Sequence, residues 1–127
     1  MEQLLLHLFG DYVIQSDWMA QKKTSESVPA LVHAITYTLP FAILTGSWQA
    51  LVVICLTHFV IDRWRLARYV CWIKNIPSPK EFRHPWSECV GTGYHKDRPA
   101  WLAVWLLIIA DNTMHLAINY FALKYLG

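Results

Sequence analysis

An all-α, compact transmembrane bundle of about four helices is the fold class that this sequence predicts. Three observations carry it. Four apolar segments alternate with polar links. Charged residues make up 16% of the chain, against roughly 25% in soluble domains. Seven Trp and six Tyr in 127 residues suit the aromatic belts that form where a helix meets the membrane–water interface. A soluble helical bundle shares the aromatics but would not leave so much surface uncharged. The length suits one domain, so residues 1–127 read as a single helical membrane domain.

The first segment covers about 3–20. It is rich in Leu, Phe, Val and Ile but interrupted by His7, Asp11, Gln15 and Asp17. It lacks a basic leader ahead of its apolar run and reads as a retained helix. A polar link, 21–27, follows. Ser27 is expected to cap the second segment, about 28–45, with Pro29 in its first turn. Pro40 should kink that helix, because it has no N–H to donate. Gly46 and Ser47 should close it and cap the third segment, about 48–72, whose core is LVVICLTHFVI. Pro77, Pro79, Pro85, Gly91 and Gly93 make 73–98 a polar loop, in which His84 and His95 are expected to be solvated. The fourth segment covers about 99–125, with Asp97 as its cap.

Ten of the eleven Lys and Arg fall at Lys22–Lys23 or between Arg63 and Arg98. In a four-span chain these two links share one side. By the positive-inside rule that side is the cytoplasm. The expected location is a bacterial inner membrane, with multiple passes. Gly-rich phosphate loops and RNA-binding aromatic motifs are missing, which argues against nucleic acid as a partner. Three widely spaced cysteines without CxxC argue against a disulfide framework or a cysteine zinc site.

His7–Asp11, His58–Asp62 and Asp111–His115 are three His/Asp pairs at i,i+4 on three different apolar segments. That spacing puts both members of a pair on one helix face. His33 adds a fourth His from the second segment. An Asp at the centre of a spanning helix costs about 2.5–3.5 kcal/mol, so Asp11, Asp62 and Asp111 together cost on the order of 8–10 kcal/mol uncompensated. No Lys lies in the middle of any segment, and Arg63 points away from its neighbour Asp62. Protons, His cations or a bound metal are therefore the expected compensators. Imidazole with carboxylate suits zinc first, then manganese or iron. Seven candidate ligands, His7, Asp11, His33, His58, Asp62, Asp111 and His115, exceed the four of a tetrahedral site and suggest one or two ions. Gln15, Asp17 and Asn112 are candidates to support the ligands from behind.

The blocks LLHLFGDYVIQSDWMAQKK, HAITYTLPF, HFVIDRW and DRPAWLAVWLLIIADNTMHLAIN together resemble a family of small bacterial and phage membrane proteins known as domain of unknown function 3307. The resemblance covers nearly the whole chain. It implies His7, Asp11, Gln15, Asp17, His33, His58, Asp62, Asp111, Asn112 and His115 as the matching positions. In motif style the chain is also similar to predicted membrane-bound metal-dependent hydrolases.

Three functions are compatible with this pattern. The first is a metal-dependent hydrolase of a membrane-associated ester or phosphoester, with Asp11, Asp62 or Asp111 as general base. The second is a conductor of protons or metal ions. The third is a phage accessory membrane factor with a structural metal. The bilayer is the expected partner, together with a lipid or membrane-associated substrate. Homo-oligomerisation is left open.

Overall fold

The computed structural model describes residues 1–127, which form helices and turns without strands. The helices are α1 (Glu2–Phe9), α2 (Asp17–Lys22), α3 (Ser27–Thr38), α4 (Trp48–Trp64), α5 (Ala67–Ile73), α6 (Trp86–Cys89) and α7 (Ala100–Tyr125). Two compact units are distinguished by their contacts. The first comprises Met1–Arg65 and His115–Gly127, and the second Leu66–Met114. One helix, α7, is long and apolar enough to cross a membrane.

The apolar segments break where local chemistry demands it. Instead of one helix over 3–20, α1 passes into a π-helical turn, Gly10–Ile14. The chain then extends through Gln15 and Ser16 and restarts as α2. Ser16 caps α2 by accepting the Met19 N–H, and Asp17 occupies its first turn, where negative charge is favoured. Glu26, one residue earlier than expected, is the N-cap of α3. Pro40 does more than kink its helix. The α-helix ends at Thr38 and continues as a 3-10 stretch, Leu39–Ile43, because the ring of Pro40 removes a donor from the ladder. Ser47 caps α4 as expected, accepting from Ala50 N–H. The third segment stops early: Arg65 adopts a left-handed conformation, φ 53 and ψ 50, and closes α4. The polar loop is not featureless, since it holds a 3-10 turn at Lys80–Phe82 and the short helix α6.

In the first unit α3 packs against α4, and α2 and the π turn pack against α3. The helices are apolar on the outside, and their inner side carries small and polar residues beside an apolar cluster. On α4 the buried stripe is Ala50, Ile54, His58 and Asp62, while Trp48, Val52, Leu56, Val60 and Trp64 are exposed. On α3, Ala30, His33, Ala34 and Tyr37 are buried, and Val28, Leu31 and Ile35 are exposed, as is Leu39 just past its end. α1 buries His7 while Leu4, Leu5, Leu8 and Phe9 face outward. Small inner residues let helix backbones approach closely.

The inner side divides along the helix axes. Tyr37, Phe41, Ile54 and Ala122 form an apolar cluster with Leu6, Leu44 and Leu51 against it. Beyond Tyr37, the same helices carry the buried His and Asp residues. Gly10 fixes this junction: a Cβ there would lie 2.5 Å from Cδ2 of Tyr37. The Gly10→Ala variant should therefore lose about 1–3 kcal/mol of stability through overpacking. Thermal unfolding in detergent should show a lowered midpoint, whereas Gly46→Ala, with open space around it, should leave the midpoint nearly unchanged.

Candidate metal centre

Four residues from three elements meet beneath Tyr37: Asp11 from the π turn, His33 from α3, and His58 and Asp62 from α4. All are buried. The π turn widens the backbone where Asp11 enters, a distortion common at functional sites. Successive turns of α4 present His58 and Asp62 together, as their spacing predicts.

The donor atoms lie close to one another. His33 Nε2 is 2.9 Å from His58 Nε2, 3.2 Å from Asp11 Oδ1 and 3.3 Å from Asp62 Oδ2. His58 Nε2 is 3.4 Å from Asp11 Oδ1 and 3.2 Å from Asp62 Oδ2. A tetrahedral zinc ion with bonds of about 2.0–2.1 Å separates its ligands by about 3.3–3.4 Å. Five separations in this group fall at or a little below that value. Asp62 Oδ2 is buried and faces both ring nitrogens of this group, with the Lys23 ammonium also upon it. The residues thus fit a metal ion, and the buried His/Asp groups can hold one.

Lys23 changes the charge balance that the sequence suggested. Its Nζ lies 2.8 Å from Asp62 Oδ2 and 3.3 Å from His33 Nε2. Protons, His cations and metal are therefore not the only compensators of the buried carboxylates. A cation from the polar link reaches them. Its side chain is only 17% exposed. The link is anchored where Arg63 donates to the Thr24 carbonyl and to Ser27 Oγ. Arg63 indeed points away from Asp62, but it holds the segment that delivers Lys23.

His115 and His7 flank the group. His115 Nε2 is 3.4 Å from Asp62 Oδ1, and its ring stacks on His58 with centroids 4.1 Å apart. Asp62 thus directs one oxygen to His115 and the other to His33 and His58. His7 Nδ1 is 3.5 Å from Asp11 Oδ2 and 2.8 Å from the Tyr37 hydroxyl. Tyr37 stacks on His58 with centroids 3.7 Å apart and accepts from Asn119 Nδ2 at 2.6 Å.

A family profile described as "Protein of unknown function (DUF3307)" matches residues 1–118. The chain belongs to the DUF3307 family. No curated protein and no solved structure matches it.

Not every candidate of this DUF3307 chain joins the group. Asp111 and Asn112 are half-buried on the part of α7 that belongs to the second unit. Gln15 is half-buried at the end of the π turn, and its Oε1 has no hydrogen-bond partner. Asp17 is exposed and accepts from Gln21 Nε2 at 2.7 Å. Tyr37 and Lys23 were missed from sequence, whereas Asn119 reads there as a helix–helix hydrogen-bonding residue and does bond Tyr37 across helices. An aromatic ring in an apolar helix reads as packing, and Lys23 read as part of a solvated link. His84 and His95 are not solvated as expected. They are half-buried and converge with Glu88 on a second candidate group in the second unit.

Tyr37→Phe keeps the stack on His58 but deprives the buried Asn119 amide of its acceptor. A buried donor left so costs about 1–3 kcal/mol. Denaturation in detergent should show that loss, and Tyr37→Phe combined with Asn119→Leu should recover part of it.

Proposed function

We propose that this protein is an integral membrane protein that holds a divalent transition-metal ion, zinc by its donor set, among Asp11, His33, His58 and Asp62. Five donor separations of 2.9–3.4 Å, between the two ring nitrogens and from each of them to either carboxylate, carry this reading. Two carboxylates and two imidazoles supply the charge and softness that zinc favours, with manganese and iron as its competitors.

Membrane embedding is supported by the outer surface of the first unit. Leu56 is 56% exposed, Ile43 81% and Leu39 65%. Apolar patches on this scale mark a lipid or partner face. On α4 the exposed residues recur every fourth position, with Trp at both ends, as an interfacial belt would place them. Ser27–Ile43 and α4 are at the lower limit of spanning length, about 17 residues. Together with α7 they support a multi-pass arrangement with Lys22, Lys23 and the basic 63–98 stretch on the cytoplasmic side. The carboxylates and histidines sit at the end of the first unit where this basic link lies.

A hydrolytic use of the ion is the second reading, and one arrangement favours it. His115 and Asp62 Oδ1 form a carboxylate–imidazole pair beside the four donors, suited to holding and moving a proton. Lys23 brings a positive charge from the aqueous link to the same place. The ion would supply Lewis acidity toward a carbonyl or phosphoryl oxygen. A membrane-associated ester or phosphoester is the matching substrate class. Ion or proton conduction is less well supported, because the apolar cluster around Phe41 and Ile54 occupies the further turns of the same helices.

Purified full-length protein, prepared in detergent without chelator, should be analysed by elemental mass spectrometry. Relative to wild type, folded His33→Ala and Asp62→Asn should each lose about one equivalent of metal. Lys23→Met should tighten zinc binding severalfold, since it removes the one ammonium that lies on a ligand oxygen. The opposite result would overturn the metal reading. Wild type would then stay folded without metal after zinc is added back, and Lys23→Met would cost about 3–5 kcal/mol, as loss of a buried counter-ion does.

A further inference from the structure

The second unit carries its own group of donors. Trp72 Nε1 donates to the His84 carbonyl at 3.0 Å, fixing the entry to α6. One helical turn later comes Glu88, whose Oε2 lies 3.8 Å from His84 Nδ1. The chain then reverses at Gly93, where φ is +85 and a Cβ would lie 2.1 Å from the Arg68 carbonyl oxygen. Gly93 N–H donates to the Cys89 carbonyl at 2.7 Å, and Lys96 N–H to the Glu88 carbonyl at 3.1 Å. These bonds return His95 to the same carboxylate, with Nε2 3.0 Å from Glu88 Oε2. The two imidazole centroids are 4.1 Å apart, and the three donor atoms all lie within 4.8 Å of one another.

We propose that His84, Glu88 and His95 form a second divalent transition-metal site, independent of the one among Asp11, His33, His58 and Asp62. Two imidazoles and one carboxylate are the ligand set of three-ligand zinc sites that keep a coordination position open. Both histidines line a cavity of about 330 Å³, whose walls also include Trp72, Phe82 and Tyr94. That volume lies in the range of small-ligand pockets, so an exchangeable ligand has room beside the ion. His95 Nδ1 accepts the Asp97 N–H at 3.2 Å and has a carboxylate oxygen of Asp97 at 3.5 Å; a metal at Nε2 would move the ring proton to Nδ1, where that carboxylate can accept it as the outer contact of a ligating imidazole. His84 Nε2 is buried without a hydrogen-bond partner, so no neighbour commits that ring to the tautomer that would occupy Nδ1 with a proton. A helical carboxylate flanked by two imidazoles also suits simple ion pairing, which gives the opposite result in the experiment below.

The test is titration of the metal-stripped full chain in detergent with cobalt(II) alone, read by visible absorption and by bound equivalents. The variants are Glu88→Gln and His84→Ala/His95→Ala, with helix content checked by circular dichroism. Glu88 is 43% exposed, so Glu88→Gln is expected to fold and decides the outcome if the double variant does not. The expected result is loss of one class of sites in the double variant. In Glu88→Gln that class should weaken by about tenfold or more, the lower end of what loss of a supporting contact costs. Sites removed by His33→Ala should remain in both variants. If wild type binds a single class, abolished by Glu88→Gln and untouched by His33→Ala, the second site stands and the first falls. Unchanged stoichiometry and affinity in folded Glu88→Gln and in the double variant would overturn the proposal.

Discussion

Asp11 and Asp62 are carboxylates held where water barely reaches them, and the first unit is organised by what that requires. Burying an ionised carboxylate costs several kcal/mol unless charge and hydrogen bonds surround it. His33 and His58 stand between the two carboxylates, and Lys23 closes the group from the polar link. Their placement depends in turn on uncharged neighbours. Tyr37 stacks on His58 and reaches His7, and it has room to do so only because Gly10 has no side chain. The alanines of α3 and α4 draw the two helices close enough for their ring nitrogens to meet.

The i,i+4 spacing made much of this group legible in the sequence. His7 with Asp11 and His58 with Asp62 are brought together as helical geometry demands, and His33 joins them from the adjacent helix. The all-helical class was legible too, from apolar segments punctuated by Pro, Gly and Ser. Other features had no one-dimensional signature. A left-handed Arg65 ends α4, although nothing in its residue type favours that conformation. The π turn leaves the composition of an ordinary helix unchanged. Lys23 is separated from Asp62 by 39 positions, and only the fold of the link reveals their contact. His84 and His95 are separated by a turn whose course depends on Gly93, so their meeting at Glu88 is a product of loop closure and not of helical period.

Polar and apolar interiors are stacked end to end in the first unit. This separates two tasks that compete in a small protein. The cluster of Phe41, Ile54 and Ala122 supplies packing without polar atoms that need partners. The other end concentrates nearly all the ionisable burial in a single connected group, where each member has a counter-charge or ring nitrogen within reach. A network satisfied as a whole resists substitution of any one member more than separate pairs would.

The row of Trp48, Val52, Leu56, Val60 and Trp64 also has a length. The two Trp residues begin and end a 17-residue helix and lie about 24 Å apart along its axis, at about 1.5 Å per residue. A bilayer has a hydrocarbon core of about 30 Å. With α4 facing lipid as proposed, the two lengths do not match, and the membrane must thin around the helix at a cost of fractions of a kcal/mol per ångström. Thinning brings the headgroup region closer to Asp62, about half a turn inside the second Trp. The short belt would thus draw water and phosphate toward the carboxylates, and it would sort the protein into thin or deformable patches of membrane.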